Sequence, residues 1–148
     1  MKVEDIKTRA VNSVKSGESI AHAARSMAEN DVGMLPVIDE TDLLGIVTDR
    51  DIAVRALAAG INPSSPIRRI MSEDIATCSP NDDVEEALET MANEQVRRLP
   101  VCDDRDRVIG VLGLADAAMR DPEPSEVTEK FAEICQDTGL HCQAPVFA

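Results

Sequence analysis

Three groups of side chains in this 148-residue chain have types and spacing suited to chemistry. The first is Thr48-Asp49-Arg50-Asp51, with Asp116 in a related setting three residues after Gly113. A hydroxyl followed three positions later by an acid reads as a capping box, in which each side chain accepts the other residue's backbone N–H where a helix begins. The second group is the adjacent pair Arg97-Arg98, which reads as solvated charges pairing with nearby acids and contributing little if exposed. The third is Cys135, His141 and Cys142, three potential metal ligands within eight residues. Their spacing matches no common zinc signature, so no metal site is expected.

Catalysis has no constellation behind it. The only histidines are His22 and His141, and neither lies in a recognisable motif. There is no glycine-rich phosphate loop of the Walker or dinucleotide type, so an enzyme is not expected. The charge balance, 15 Lys+Arg against 28 Asp+Glu for a formal −13, argues against nucleic-acid binding. Phe131 and Phe147 are the only aromatics, too few for a base-stacking platform. No apolar run approaches the roughly 18 residues of a membrane span, and the acids of Met1-Lys2-Val3-Glu4-Asp5-Ile6 do not suit a signal peptide. A cytoplasmic protein that contacts neither nucleic acid nor membrane is expected. Cys78 and Cys102 sit in apolar runs and read as buried thiols rather than a disulfide framework.

An internal repeat supplies the elements that must position these groups. Shifted by 64 residues, Ile20–Leu44 falls on Val84–Val108 with nine of 25 pairs identical, including Leu35-Pro36-Val37 on Leu99-Pro100-Val101. Upstream, Val3, Ile6 and Val11 fall on Ile67, Ile70 and Ile75. After one inserted residue Gly45 meets Gly110, and Asp51 meets Asp116. Each copy reads as β-α-β-β-α. The expected strands are 10–14, 34–38 and 43–47 in the first copy, and 75–78, 98–102 and 107–112 in the second. Amphipathic helices carry Ile20, Ala23 and Met27, then Val84, Ala87 and Met91, with Ser19 and Asp82 as N-caps. Closing helices are expected over 49–59, ended by Gly60, and over 114–119.

A unit of about 50 residues buries little surface alone. The expectation is therefore an α/β (α+β) fold of two repeats packed about a pseudo-twofold axis. The divisions are 1–62, 63–121 and a C-terminal extension, 122–148, with a helix over 125–137.

The stretches Val32-Gly33-Met34-Leu35-Pro36-Val37-Ile38-Asp39 and Gly45-Ile46-Val47-Thr48-Asp49-Arg50-Asp51, with their second-copy counterparts, resemble a tandem pair of cystathionine-β-synthase-type (CBS) domains, the Bateman module. The likeness covers about 120 residues. It implies a regulatory protein that binds AMP, ADP, ATP or a related adenosyl ligand in the cleft between repeats and signals to a protein partner. A homodimer is implied as well. The family's Gly-x-x-Thr/Ser-x-x-Asp pattern assigns ribose contacts to Thr48 and Asp51. Asp116 is the second-copy counterpart, but Gly113 replaces its hydroxyl residue, leaving that site degenerate. The resemblance assigns phosphate contacts to Arg97 and Arg98, whose local field stands out on an acidic background. It assigns the adenine walls to Ile46 and to the 75–77 strand, with Ala76 and Thr77. No further cofactor is implied. The alternative is a ligand-free dimeric scaffold, or a redox- or metal-responsive stress protein acting through Cys135, His141 and Cys142.

Overall fold

A computed structural model of the chain describes residues 1–9 and 11–120. The expected helix over 125–137 and the cysteine–histidine cluster lie outside the described residues. In chain order the elements are α1 (Val3–Ile6), α2 (Ile20–Asn30), β1 (Met34–Asp39), β2 (Asp42–Thr48), a π-helix (Asp51–Leu57) and a 3-10 turn (Ile67–Arg69). There follow α3 (Val84–Glu94), β3 (Arg98–Cys102), β4 (Val108–Gly113) and α4 (Leu114–Arg120). The strands form two antiparallel hairpins, β1–β2 and β3–β4. The mixed helix and strand content of the expected α+β class is present.

The packing units are not contiguous in sequence. The β1–β2 unit comprises residues 11–75 with Arg105–Arg107. The β3–β4 unit comprises Met1–Arg9, Ala76–Asp104 and the described residues from Val108 onward. The repeat marks sequence similarity, whereas packing divides the chain differently. Val3 and Ile6 join the core of the β3–β4 unit with Leu99, Val101 and Leu112. Their repeat counterparts Ile67 and Ile70 join that of the β1–β2 unit with Leu35, Val37 and Val47.

Each hairpin is flanked on both sides. Thr8 bridges Val111 of β4, and Ser72 bridges Ile46 of β2, both antiparallel. The backbone comes very close here. A Cβ on Gly45 would lie 2.6 Å from the Ser72 carbonyl oxygen, and one on Gly110 would lie 2.7 Å from that of Thr8. Glycine is required at both positions because only it lets the flanking segment approach.

On the other flank the expected strands 10–14 and 75–78 reduce to single bridges, Val14 to Val37 and Cys78 to Val101, both parallel. Val14 donates its N–H to the Pro36 carbonyl (3.0 Å) and accepts from Ile38 (2.8 Å). Cys78 does the same with Pro100 (3.0 Å) and Cys102 (2.9 Å). The next bond back along each ladder would need an N–H from Pro36 or Pro100, and proline has none, so pairing stops. Ala10 lies outside the described residues.

Capping explains the helix starts. Ser19 Oγ accepts the His22 N–H at 3.0 Å, as expected. The cap of α3 is Asp83, not Asp82. Asp83 forms a capping box with Glu86, while the Asp82 carboxylate accepts the Ser79 N–H at 2.8 Å and closes the preceding turn. The expected α-helix over 49–59 is also corrected. Residues 51–57 form a π-helix, with i+5 bonds from Ala58 N–H to Ala53 and from Ile61 N–H to Ala56. Gly60, at φ +70°, ends the segment as expected.

Candidate functional site

The turn from β2 into the π-helix is built by reciprocal side-chain to backbone bonds. Asp51 Oδ2 accepts the Thr48 N–H at 2.9 Å, and Thr48 Oγ1 accepts the Asp51 N–H at 3.1 Å. The capping reading of the sequence is therefore realised in full. Asp51 is 8% exposed and is the buried charged residue among those described. Burying a carboxylate is costly unless its oxygens are bonded. Besides Thr48, Arg55 meets that need, with Nε 3.5 Å from Asp51 Oδ1. Each carboxylate oxygen has two lone pairs. Each oxygen therefore has acceptor capacity that these partners do not use.

The corresponding turn of the β3–β4 unit has half of this arrangement. Gly113 N–H donates to Asp116 Oδ2 at 3.1 Å, but no hydroxyl returns the bond. A Cβ on Gly113 would stand 2.8 Å from Asp116 Oδ2, so a threonine there forces the carboxylate aside. Asp116 is half-buried.

Of the sequence-expected residues, Ile46, Thr48 and Asp51 gather at one end of the β1–β2 unit, with Ile46 half-buried and bonded in both directions to Ser72. In the β3–β4 unit Arg98 pairs with Gly113 in register, and the Arg97 carbonyl accepts the Leu114 N–H at 2.9 Å. Both arginines are exposed. Ala76 packs against the core of that unit, whereas Thr77 is exposed and outside any strand. Arg55 was not singled out from the sequence. Its signal was there as an acid four residues ahead of a base, Asp51 before Arg55.

A cavity of about 560 Å³ lies at the turn end of the β1–β2 hairpin, lined by Lys15, Glu18, Asp39 and Glu40 among others. The carboxylates of Asp39 and Glu18 are already engaged locally. Asp39 accepts from the Ser16 N–H at 2.9 Å and from its hydroxyl, which holds the carboxyl below its ordinary value. Glu18 accepts the Lys15 N–H at 3.0 Å and pairs with His22 at 3.3 Å. Among the described residues no group of three or more His, Cys, Asp or Glu is arranged to hold a metal ion. No helix among them is long and apolar enough to cross a membrane.

Known proteins are similar to this chain in sequence and fold. The family model for the CBS domain matches residues 3–57 and again 67–121. Hypoxic response protein 1 of Mycobacterium tuberculosis is 35% identical over 138 residues, covering 92% of this chain and 95% of its own. A crystal structure of Hypoxic Response Protein I with two coordinated zinc ions superposes with a TM-score of 0.76 at 35% identity, covering 82% of this chain and 100% of that one. The CBS domain pair of protein MJ0100, solved with 5′-methylthioadenosine and S-adenosyl-L-methionine, superposes at 0.73 with 30% identity, covering 80% and 94%.

Proposed function

The chain belongs to the CBS-domain family as a tandem pair, and on that premise we propose that it is a regulatory module, not an enzyme, which binds an adenosyl small molecule through Thr48 and Asp51 and signals to a protein partner. The observation that carries the reading is the Thr48–Asp51 turn. It holds a buried carboxylate in a fixed orientation with acceptor capacity left over. A preset carboxylate suits the vicinal hydroxyls of a ribose, because its orientation is already paid for. The adenosyl ligands of the similar MJ0100 pair support the ligand class. AMP, ADP and ATP are the proposed regulators, with Arg97 and Arg98 as anion contacts and Ile46, Ala76 and Thr77 as apolar and shape contacts. Asp116 is a weaker counterpart, since Gly113 brings no hydroxyl. A cytoplasmic homodimer completes the proposal.

Isothermal titration with AMP, ADP, ATP, 5′-methylthioadenosine and S-adenosylmethionine tests the reading, alongside thermal unfolding. A ligand at a hundredfold excess over Kd should stabilise by about 2.7 kcal/mol. Neither heat nor stabilisation with any of the five removes the proposal.

A second reading is favoured by the zinc ions of the similar Hypoxic Response Protein I. Cys135, His141 and Cys142 would then serve a metal- or redox-responsive scaffold. Metal analysis of untagged protein with a thiol count decides it. Stoichiometric metal lost on Cys135→Ser supports this reading, and four titratable thiols without metal remove it.

A further inference from the structure

We infer that Arg55 is a positioning residue for the Asp51 carboxylate, and that it sets the preference for a ligand with two adjacent hydroxyls over one with a single hydroxyl. The inference rests on the proposed adenosyl reading and adds a residue outside the Thr/Asp motif.

Arg55 follows Asp51 by four residues. Residues four apart are neighbours on one face of a helix, so an acid and a base at this spacing can pair. Residues 51–57 are π-helical, and Arg55 Nε lies 3.5 Å from Asp51 Oδ1. Asp51 Oδ2 is held by the Thr48 N–H at 2.9 Å. Each oxygen thus faces one neighbour, Oδ2 accepting the Thr48 N–H and Oδ1 within ion-pair range of Arg55, and the carboxylate's rotation about its terminal torsion is restricted.

The other repeat provides the contrast. Arg120 follows Asp116 by the same four residues, but α4 is an ordinary α-helix. There the Arg120 guanidinium donates to the Asp5 carbonyl at 3.3 Å. The two repeats therefore share the acid and the base in sequence and differ in the partner the base takes, Asp51 in one and the Asp5 carbonyl in the other.

A carboxylate anchored at both oxygens presents its remaining acceptor sites in one plane and can receive two vicinal hydroxyls together. Released at Oδ1, it turns and serves one hydroxyl as well as two. The Arg55 side chain is 55% exposed, so its pairing contributes little to folding and its removal leaves the turn intact.

The test uses the full chain and calorimetry. The adenosyl compound of the panel that binds most tightly is compared with its 2′-deoxy analogue, on wild type, Arg55→Gln, Arg55→Lys and Arg120→Gln. Arg55→Gln is expected to lose roughly three- to tenfold in affinity for the ribose compound. The 2′-deoxy compound should change by less than about twofold, so discrimination collapses. Arg55→Lys should restore part of it, and Arg120→Gln should leave both affinities unchanged. Equal loss for the two ligands makes Arg55 a general charge contribution and overturns the positioning role, as does unchanged discrimination. Absence of binding by wild type removes the underlying functional reading instead.

Discussion

Thr8 and Val111 exchange both of their backbone hydrogen bonds, Thr8 N–H to Val111 O at 2.9 Å and Val111 N–H to Thr8 O at 3.1 Å. Ser72 and Ile46 repeat the exchange at 2.8 and 3.0 Å. The amino-terminal segment of each repeat thus completes the hairpin belonging to the other repeat's sequence. Gly110 and Gly45 are the points of close approach.

Alanine at either glycine tests this exchange. The added methyl must push back a carbonyl oxygen, which is backbone and cannot rotate away as a side chain would. Gly45→Ala and Gly110→Ala should each destabilise by about 1–3 kcal/mol, the range for overpacking a tight site. Denaturant unfolding measures it. Gly60→Ala meets no atom within 4 Å and loses stability only through its positive φ. Equal and small effects at all three glycines would show that the flanking segments are not tightly held.

Much of this was legible in the residues. The Leu-Pro-Val repeats, the acidic turns and the Ile20, Ala23, Met27 spacing located both hairpins and both long helices. The lead strands were overestimated because Val11 to Val14 and Ile75 to Cys78 look β-like in isolation. The limit on their pairing is the missing N–H of Pro36 and Pro100, on the partner strand. The exchange was illegible for a related reason. Val3 and Ile6 advertise burial, but an apolar pattern does not say which hairpin receives it. At the candidate site the pair Thr48 and Asp51 was legible from spacing. Arg55 carries only the four-residue spacing of an acid before a base, and Asp116 and Arg120 share that spacing without a bond of the same kind, because Arg120 donates to the Asp5 carbonyl instead.

The Ser16–Asp39 bond gives a pH dependence of definite sign. The Asp39 carboxyl is held below its ordinary value of 3.8, chiefly by the Ser16 hydroxyl and then by the Ser16 N–H. The unfolded chain therefore binds this proton more readily than the native one, and stability rises with pH. The contribution is complete above the ordinary carboxylate value and is lost as pH falls through the lower native value. Ser16→Ala should lower stability near neutrality, and its difference from wild type should shrink on acidification below about pH 4. A difference that stays constant down to pH 2 would mean the bond does not bind protons differentially.

Cys78 should be inert in the folded protein. It is 6% exposed, and burial pushes its thiol up to about 12, with Asp82 and Cys102 adding to the shift. The thiolate is the reacting species, so alkylation by iodoacetamide at pH 8 should be strongly suppressed until the chain unfolds. Mass spectrometry of native and denaturant-treated samples measures this. Equal labelling in both would place Cys78 at the surface.

The two acids at the strand–helix turns should differ in what they do for a ligand. Asp51 is bonded reciprocally with Thr48 and anchored further by Arg55. Asp116 has the Gly113 N–H and no returning hydroxyl. Alanine at either position removes an acceptor from the first helical turn, and the loss of capping should cost about 1 kcal/mol in stability. Binding should separate them. Asp51→Ala removes charged acceptors for the ribose, each such bond being worth about 1.5–3 kcal/mol, so affinity should fall roughly tenfold to a hundredfold. Asp116→Ala should change it by less than about threefold, since its turn has fewer anchors to orient the carboxylate. Calorimetric titration of both variants, with unfolding curves to correct for stability, reads the contrast. Equal losses would mean that both turns serve the ligand alike and that the hydroxyl of Thr48 does not decide which one is competent.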